Sequence, residues 1–182
     1  MPTTDHSTFL HQAQRLKILC AGIASLILMV GIARFAYTPM LPLMQHQAGL
    51  GIAQGGWLAA FNYVGYFCGA LIAANIVDLV KKDRLYRLGL VVALITTVGL
   101  GLTQNFWAWS VLRFFAGLSS AAGLLLGSGL VMHWLLRHQL RSELGIHFIG
   151  MGAGIFLTAL FVHLAAGQIS WQQHWFWLTA IG

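Results

Sequence analysis

Five long apolar stretches separated by short polar gaps run along the chain: Leu16 to Met44, Gln54 to Val77, Leu85 to Gln104, Trp107 to Leu136 and Leu144 to Gly167. Each holds the roughly 20 residues with which an α-helix crosses a hydrocarbon core about 30 Å thick. A sixth stretch begins near Trp171 or Trp175 and runs to Gly182. Its roughly eight to twelve residues would rise only about 12–18 Å. The pattern predicts an all-α integral membrane protein with five complete transmembrane helices and a truncated sixth. On this reading the sequence is a fragment or an early termination. Residues 1–15 are polar and form an expected cytoplasmic tail. The apolar run after them is longer than the 7–15 residues or so of a cleavable signal core, so the first helix should stay as an anchor.

Charge turns this pattern into a topology. Only 8% of the residues are charged and 58% are hydrophobic, against roughly 25% charged in soluble domains. A soluble globular domain is excluded. The net charge of +6 does not point to nucleic acid, because the basic residues flank apolar segments and form no single patch. Arg15 and Lys17 precede the first helix, Lys81, Lys82, Arg84 and Arg87 follow the second, and Arg137 and Arg141 follow the fourth. The alternate gaps, residues 45–53, 105–106 and 168–174, carry no charge. The positive-inside rule then places the N-terminus in the cytoplasm, with the lipid bilayer as partner. Trp57, Trp107, Trp109, Trp171 and Trp175 would fall at the outer interface and Trp134 near the inner one, as an aromatic belt.

Glycine marks where helices should touch. Gly65, Gly69 and Ala73 share a face, as do Gly117 and Ala121, and Gly150 and Gly154. Small residues at spacing four let backbones approach in lipid, where hydrophobicity cannot drive association. Cys20 and Cys68 lie in apolar runs with no CxxC spacing and read as small buried hydrophobes. No metal or cofactor is implied.

Two charged residues break the pattern by lying inside the apolar stretches: Arg34 and Arg113. A guanidinium cannot shed its proton to escape hydrocarbon, so it faces a bundle interior or a wet cavity. At 1.5 Å per residue, Arg34 sits about 15 Å from the outer end of its helix, Asn62 about 12 Å and Arg113 about 9 Å. Tyr37, Tyr63 and Tyr66 belong to the same slab. The four acids, Asp5, Asp78, Asp83 and Glu143, all map to the cytoplasmic side. Two unpaired guanidiniums at one level suit a carboxylate or phosphate. An anion site built from Arg34, Tyr37, Asn62, Tyr63 and Arg113 is the sharper expectation. The plainer one has Arg113 donating to backbone carbonyls of a neighbouring helix, and a carboxylate partner outside these residues is a third.

Other polar groups are less telling. His133, His147 and His163 lie near helix ends and read as interfacial packing in preference to a proton relay or a metal site. Pro39 and Pro42 are expected to kink or end the first helix. Gly127, Ser128 and Gly129, with His163, could suggest an intramembrane serine protease. However, Ser128 and His163 lie at opposite depths, and Leu126 stands where the signature needs its first glycine. An enzyme is not expected.

The stretch Gly31-Ile32-Ala33-Arg34-Phe35-Ala36-Tyr37-Thr38-Pro39-Met40-Leu41-Pro42 resembles the first helix of the YbfB/YjiJ-like branch of the major facilitator superfamily. So do Gln54-Gly55-Gly56-Trp57-Leu58-Ala59, Asn62-Tyr63-Val64-Gly65-Tyr66 and Gly69-Ala70. Arg113, with Gly117 four residues on, looks like the superfamily's general helix-4 motif. The resemblance covers nearly the whole chain but only the N-terminal half of a twelve-helix transporter. The helix 2–3 loop motif is degraded: Asp78 matches its acid, whereas Ala74 and Leu79 replace a glycine and a basic residue, and Arg84 with Lys81 and Lys82 stands in for the latter. Helix 5 lacks the Gly-Pro pair of antiporters.

The resemblance implies that helices 1 and 4 line a central cavity between two rocking halves. The expected function is secondary active transport of a small, anionic solute by alternating access, with a missing C-terminal half as partner. The alternative is a non-transporting membrane scaffold or regulatory half-bundle.

Overall fold

The computed structural model describes residues 4–140 and 144–182, with side chains from Gln12 onward. Asp5, Arg141 and Glu143, which entered the charge argument, lie outside the described side chains. Among the described residues, five helical spans are long and apolar enough to cross a membrane. The first consists of α1 (Thr4–Leu26), a π-helical section (Ile27–Phe35) and α2 (Tyr37–Ala48). The second is α3 (Ile52–Ala74) and the third α4 (Leu79–Leu102). The fourth joins α5 (Phe106–Ala121), a second π-helical section (Ala122–Gly127) and α6 (Ser128–Arg137). The fifth is α7 (Leu144–Ala165), and α8 (Trp171–Ile181) follows it.

These bounds lie close to the apolar stretches, with three differences. First, α1 reaches back to Thr4 through the segment expected as a tail, in which residues 4–15 hold no proline or glycine. Second, Pro39 and Pro42 do not end the first span. Pro39 falls in the first turn of α2, where a missing N–H is tolerated. The helix closes instead at Gly49, whose φ of 69° supplies the left-handed turn after the last helical residue. Third, α4 starts before the apolar run because Asp78 caps it, its Oδ1 accepting from the Val80 N–H at 2.8 Å. Arg84 is therefore an exposed helical residue and not part of the 2–3 loop. Asp78, which was assigned to that loop motif, serves here as a helix cap.

The small-residue faces interlock as two pairs. A Cβ on Gly65 would strike the Phe114 carbonyl, and one on Gly117 would strike the Asn62 carbonyl. The second and fourth spans thus meet backbone to backbone. On the other side of the bundle, a Cβ on Gly31 would lie 2.6 Å from the Gly154 Cα, and one on Gly150 would lie 2.5 Å from the Ile23 carbonyl oxygen. This binds the fifth span to the first.

The largest core cluster sits at the end away from the basic residues and includes Tyr37, Met40, Met44, Leu58, Leu100, Trp109, Trp171 and Trp175. The aromatic belt is accordingly smaller than expected. Trp57 and Trp107 are exposed, whereas Trp109, Trp171 and Trp175 are buried. Trp109 packs edge-on against Trp171 and donates its indole N–H to the Leu100 carbonyl at 3.0 Å. A buried indole of this kind needs a partner for its N–H.

Candidate functional site

The two intramembrane arginines converge where the first, second and fourth spans cross. Arg34 lies in the last turn of the π-helical section of the first span, and Arg113 lies midway along α5. A small cavity of about 40 Å³ between them is lined by Arg34, Phe35, Tyr37, Thr38, Ala59, Asn62, Tyr63 and Arg113. All five residues singled out for an anion site therefore line one cleft. Its size admits a few water-sized groups. Anything larger needs a further wall.

The members of this group are not equivalent. Arg113 is buried, and its Nη1 donates to the backbone carbonyls of Ala33 at 3.3 Å and Arg34 at 3.2 Å. The plainer expectation for this residue therefore describes its geometry. Both carbonyls belong to the end of the π-helical section of the first span. Arg113 supplies the donor. Its guanidinium also stacks over the Tyr37 ring, 4.4 Å from the centroid.

Tyr37 and Asn62 serve the frame of the cleft. The Tyr37 hydroxyl donates to the Gly55 carbonyl at 2.9 Å, which ties the first span to the second. Asn62 donates from Nδ2 to the Arg113 carbonyl at 2.9 Å, which ties the second to the fourth. Both side chains are buried. Unpaired, each would cost a desolvated polar group.

Arg34 is different. It is half-buried, and no described side chain or carbonyl accepts a hydrogen bond from its buried Nε. Its guanidinium lies 4.1 Å from the centroid of Tyr66, 5.4 Å from that of Tyr63 and 5.2 Å from that of Phe35. Aromatic faces attract a cation but leave its N–H groups open. The Nε of Arg113 is likewise buried without a partner. Among the described residues, the acids Asp78 and Asp83 lie at the start of α4, remote from this level, and Asp83 pairs there with Arg87 at 2.8 Å. The site is thus two cations, one bound to backbone and one held by aromatic rings, with donors left over.

Sequence reasoning left two features out. Tyr66, placed at this level but not in the site, and Phe35, not singled out, belong to the aromatic bed of Arg34, and the spacing of Tyr63 and Tyr66, one helical turn apart, could have indicated the former. The π-helical sections were not foreseen either. Gly31, and Gly123 with Gly127, sit in them, and such sections cluster at functional positions.

Ser128 does have a histidine partner, but it is His147 and not His163. The Ser128 Oγ and His147 Nε2 lie 3.0 Å apart. His163 is exposed. His147 is completely buried, so interfacial packing does not describe it. Among the described residues, no group of three or more His, Cys, Asp or Glu is placed to hold a metal ion.

Comparison with known proteins gives the family. The family model described as "Uncharacterised MFS-type transporter YbfB" matches residues 26–181. The chain is 25% identical over 159 residues to the "Uncharacterized MFS-type transporter YcaD" of Salmonella arizonae, covering 87% of this chain and 41% of that protein. It is 31% identical over 97 residues to the "Uncharacterized MFS-type transporter YceJ" of Bacillus subtilis, covering 53% of this chain and 25% of that protein. The chain spans less than half the length of these relatives. No solved structure matches it.

Proposed function

The chain belongs to the YbfB family of MFS-type transporters, and from that premise we propose that it forms the N-terminal half of a carrier that moves a small anionic solute by alternating access. A second half, supplied by a longer chain, closes the wall opposite Arg34. The first and fourth spans face that wall and carry the two guanidiniums. The N-terminus and the basic gaps face the cytoplasm, which is the orientation that the Lys and Arg distribution favours, in a bacterial inner membrane.

One observation carries the anionic reading. Arg34 reaches the cleft with buried, unsatisfied donor capacity, and the described residues offer it aromatic faces but no acid. A planar guanidinium in that state suits the two oxygens of a carboxylate or phosphate. Tyr63, which is exposed in this half, stands beside it.

The test is stabilisation of the purified carrier by a panel of anions: phosphate, acetate, succinate and benzoate. A ligand at 100 times its Kd raises stability by about 2.7 kcal/mol. At least one anion class should raise the melting temperature of the parent and leave Arg34→Ala unmoved, with Arg34→Ala itself folded. If anions stabilise Arg34→Ala as well as the parent, Arg34 is structural and the anion site lies elsewhere.

A further inference from the structure

A groove opens on the outside of the bundle between the second and third spans, with the fourth as its floor. It holds about 150 Å³. Small residues make the room. Gly69 of α3, Gly89 of α4 and Ala122 of the second π-helical section are buried along its base, while Ile72, Leu88 and Phe115 are exposed at its rim.

Water is a poor occupant of this groove. A buried water keeps about two to four polar partners. The lining offers one polar side chain, Ser119, whose hydroxyl already donates to the Ala116 carbonyl at 2.9 Å. A void left empty forfeits the dispersion contacts of its walls. An apolar chain entering from the surrounding hydrocarbon recovers them.

The groove side of α4 ends in positive charge. Leu85, Leu88 and Val92 line the groove at helical spacing. The same stripe runs back to Lys81, four residues before Leu85, and to Arg84, four before Leu88. Both cations are exposed. The acids nearby are engaged elsewhere: Asp78 caps α4, and Asp83 pairs with Arg87. Asp83 and Arg87 line a different cavity, together with Arg137. At 1.5 Å per residue, Leu85 lies about 6 Å and Val92 about 17 Å beyond Lys81. Half of the hydrocarbon core is about 15 Å thick. The groove thus spans the chains of one leaflet, with the two cations at its headgroup level.

We propose that this groove binds one anionic phospholipid of the leaflet at the basic end. Its phosphate lies between Lys81 and Arg84, and one acyl chain runs along Leu88, Val92 and Ile72. Basic pockets beside membrane helices hold anionic headgroups by the same attraction. Here the groove adds a seat for the chain, which a patch of surface charge lacks. The occupant touches three spans at once and so stabilises their packing.

The site rests on the membrane reading of the spans and not on the anion cleft. The purified carrier is placed in nanodiscs and titrated with phosphatidylglycerol or phosphatidylcholine carrying a mid-chain diazirine. After irradiation, the labelled residues are mapped by mass spectrometry. Each basic residue near a membrane surface is worth roughly fivefold in affinity for anionic lipid. Half-maximal labelling of Ile72, Leu88, Val92 or Phe115 should therefore need about 25-fold less phosphatidylglycerol than phosphatidylcholine. Val91 and Ile95, exposed on α4 outside the groove, should be labelled alike by both. Lys81→Gln with Arg84→Gln changes two exposed positions, and the double variant should need as much of either lipid. Val92→Phe fills the groove and keeps the cations, so it should lower groove labelling by both lipids while its melting temperature reports folding. Equal labelling of the groove by the two lipids in the parent, or a preference that survives the double variant, overturns the site. Labelling of Val91 and Ile95 without the groove means that protein covers it, and overturns the site as well.

Discussion

Asn62 donates its side-chain amide to the backbone carbonyl of Arg113 across 2.9 Å. The bond crosses from the second span to the fourth at the level of the cleft, close to where Gly65 and Gly117 bring the two backbones together. One hydrogen bond therefore fixes the height at which Arg113 meets the first span. The predictions below begin from it.

Asn62→Ala removes that bond and leaves the Arg113 carbonyl without its side-chain donor. Interhelical hydrogen bonds in membranes average about 0.6 kcal/mol, with a maximum near 1.7. Unfolding in mixed detergent should show a loss in this range. A loss above about 3 kcal/mol would mean that Asn62 does more than bridge two helices.

Gly117→Ala and Gly65→Ala should be far costlier than their size suggests. The added methyl meets a neighbouring backbone carbonyl in each case, which cannot rotate away, so the second and fourth spans must separate. Overpacking of this kind costs about 1–3 kcal/mol or more. Gly129→Ala and Gly152→Ala meet nothing within 4 Å and should leave thermal stability unchanged or slightly raised. Equal losses at all four positions would contradict the packing described.

Arg113→Lys and Arg34→Lys should fail in different ways. Lysine at 113 loses the fork that reaches the carbonyls of Ala33 and Arg34, and stability should fall by about 1.5–3 kcal/mol, as for a charged hydrogen bond. Lysine at 34 keeps a cation among the rings of Tyr63 and Tyr66 and should fold like the parent. Its anion affinity should drop, because a bidentate contact becomes a point charge. Thermal unfolding and anion titration on the same samples separate the two.

Orientation is testable by single cysteines after Cys20 and Cys68 are replaced. Cysteines at Ala53 and Gln168, both exposed, should react with an impermeant reagent applied to intact cells. Cysteines at Lys81 and Gln139, exposed at the other end, should react only after permeabilisation. The reverse pattern would invert the topology.

The spans and the level of the polar residues were written in the sequence. A backbone in hydrocarbon must satisfy its own hydrogen bonds, so helix is forced and membrane thickness sets its length. Register along a helix then follows from counting at 1.5 Å per residue. This is why Arg34, Asn62 and Arg113 could be placed on one level, and they do line one cleft. The small-residue faces were legible for a similar reason, since a missing side chain permits backbone contact in only one direction.

Rotation about each helix was decided by tertiary structure. In lipid the outer face of a helix is as apolar as its buried face, so hydropathy carries no phase. Depth set His163 apart from Ser128, but sequence could not tell that His147 turns toward Ser128, nor that Trp109, Trp171 and Trp175 turn inward while Trp57 and Trp107 face outward. It could not assign the two arginines either. Arg113 is committed to the backbone carbonyls of Ala33 and Arg34, and Arg34 lies among rings with its Nε unpaired. That division depends on a π-helical turn in the first span and on which faces of three helices meet, and both are settled only when the helices pack.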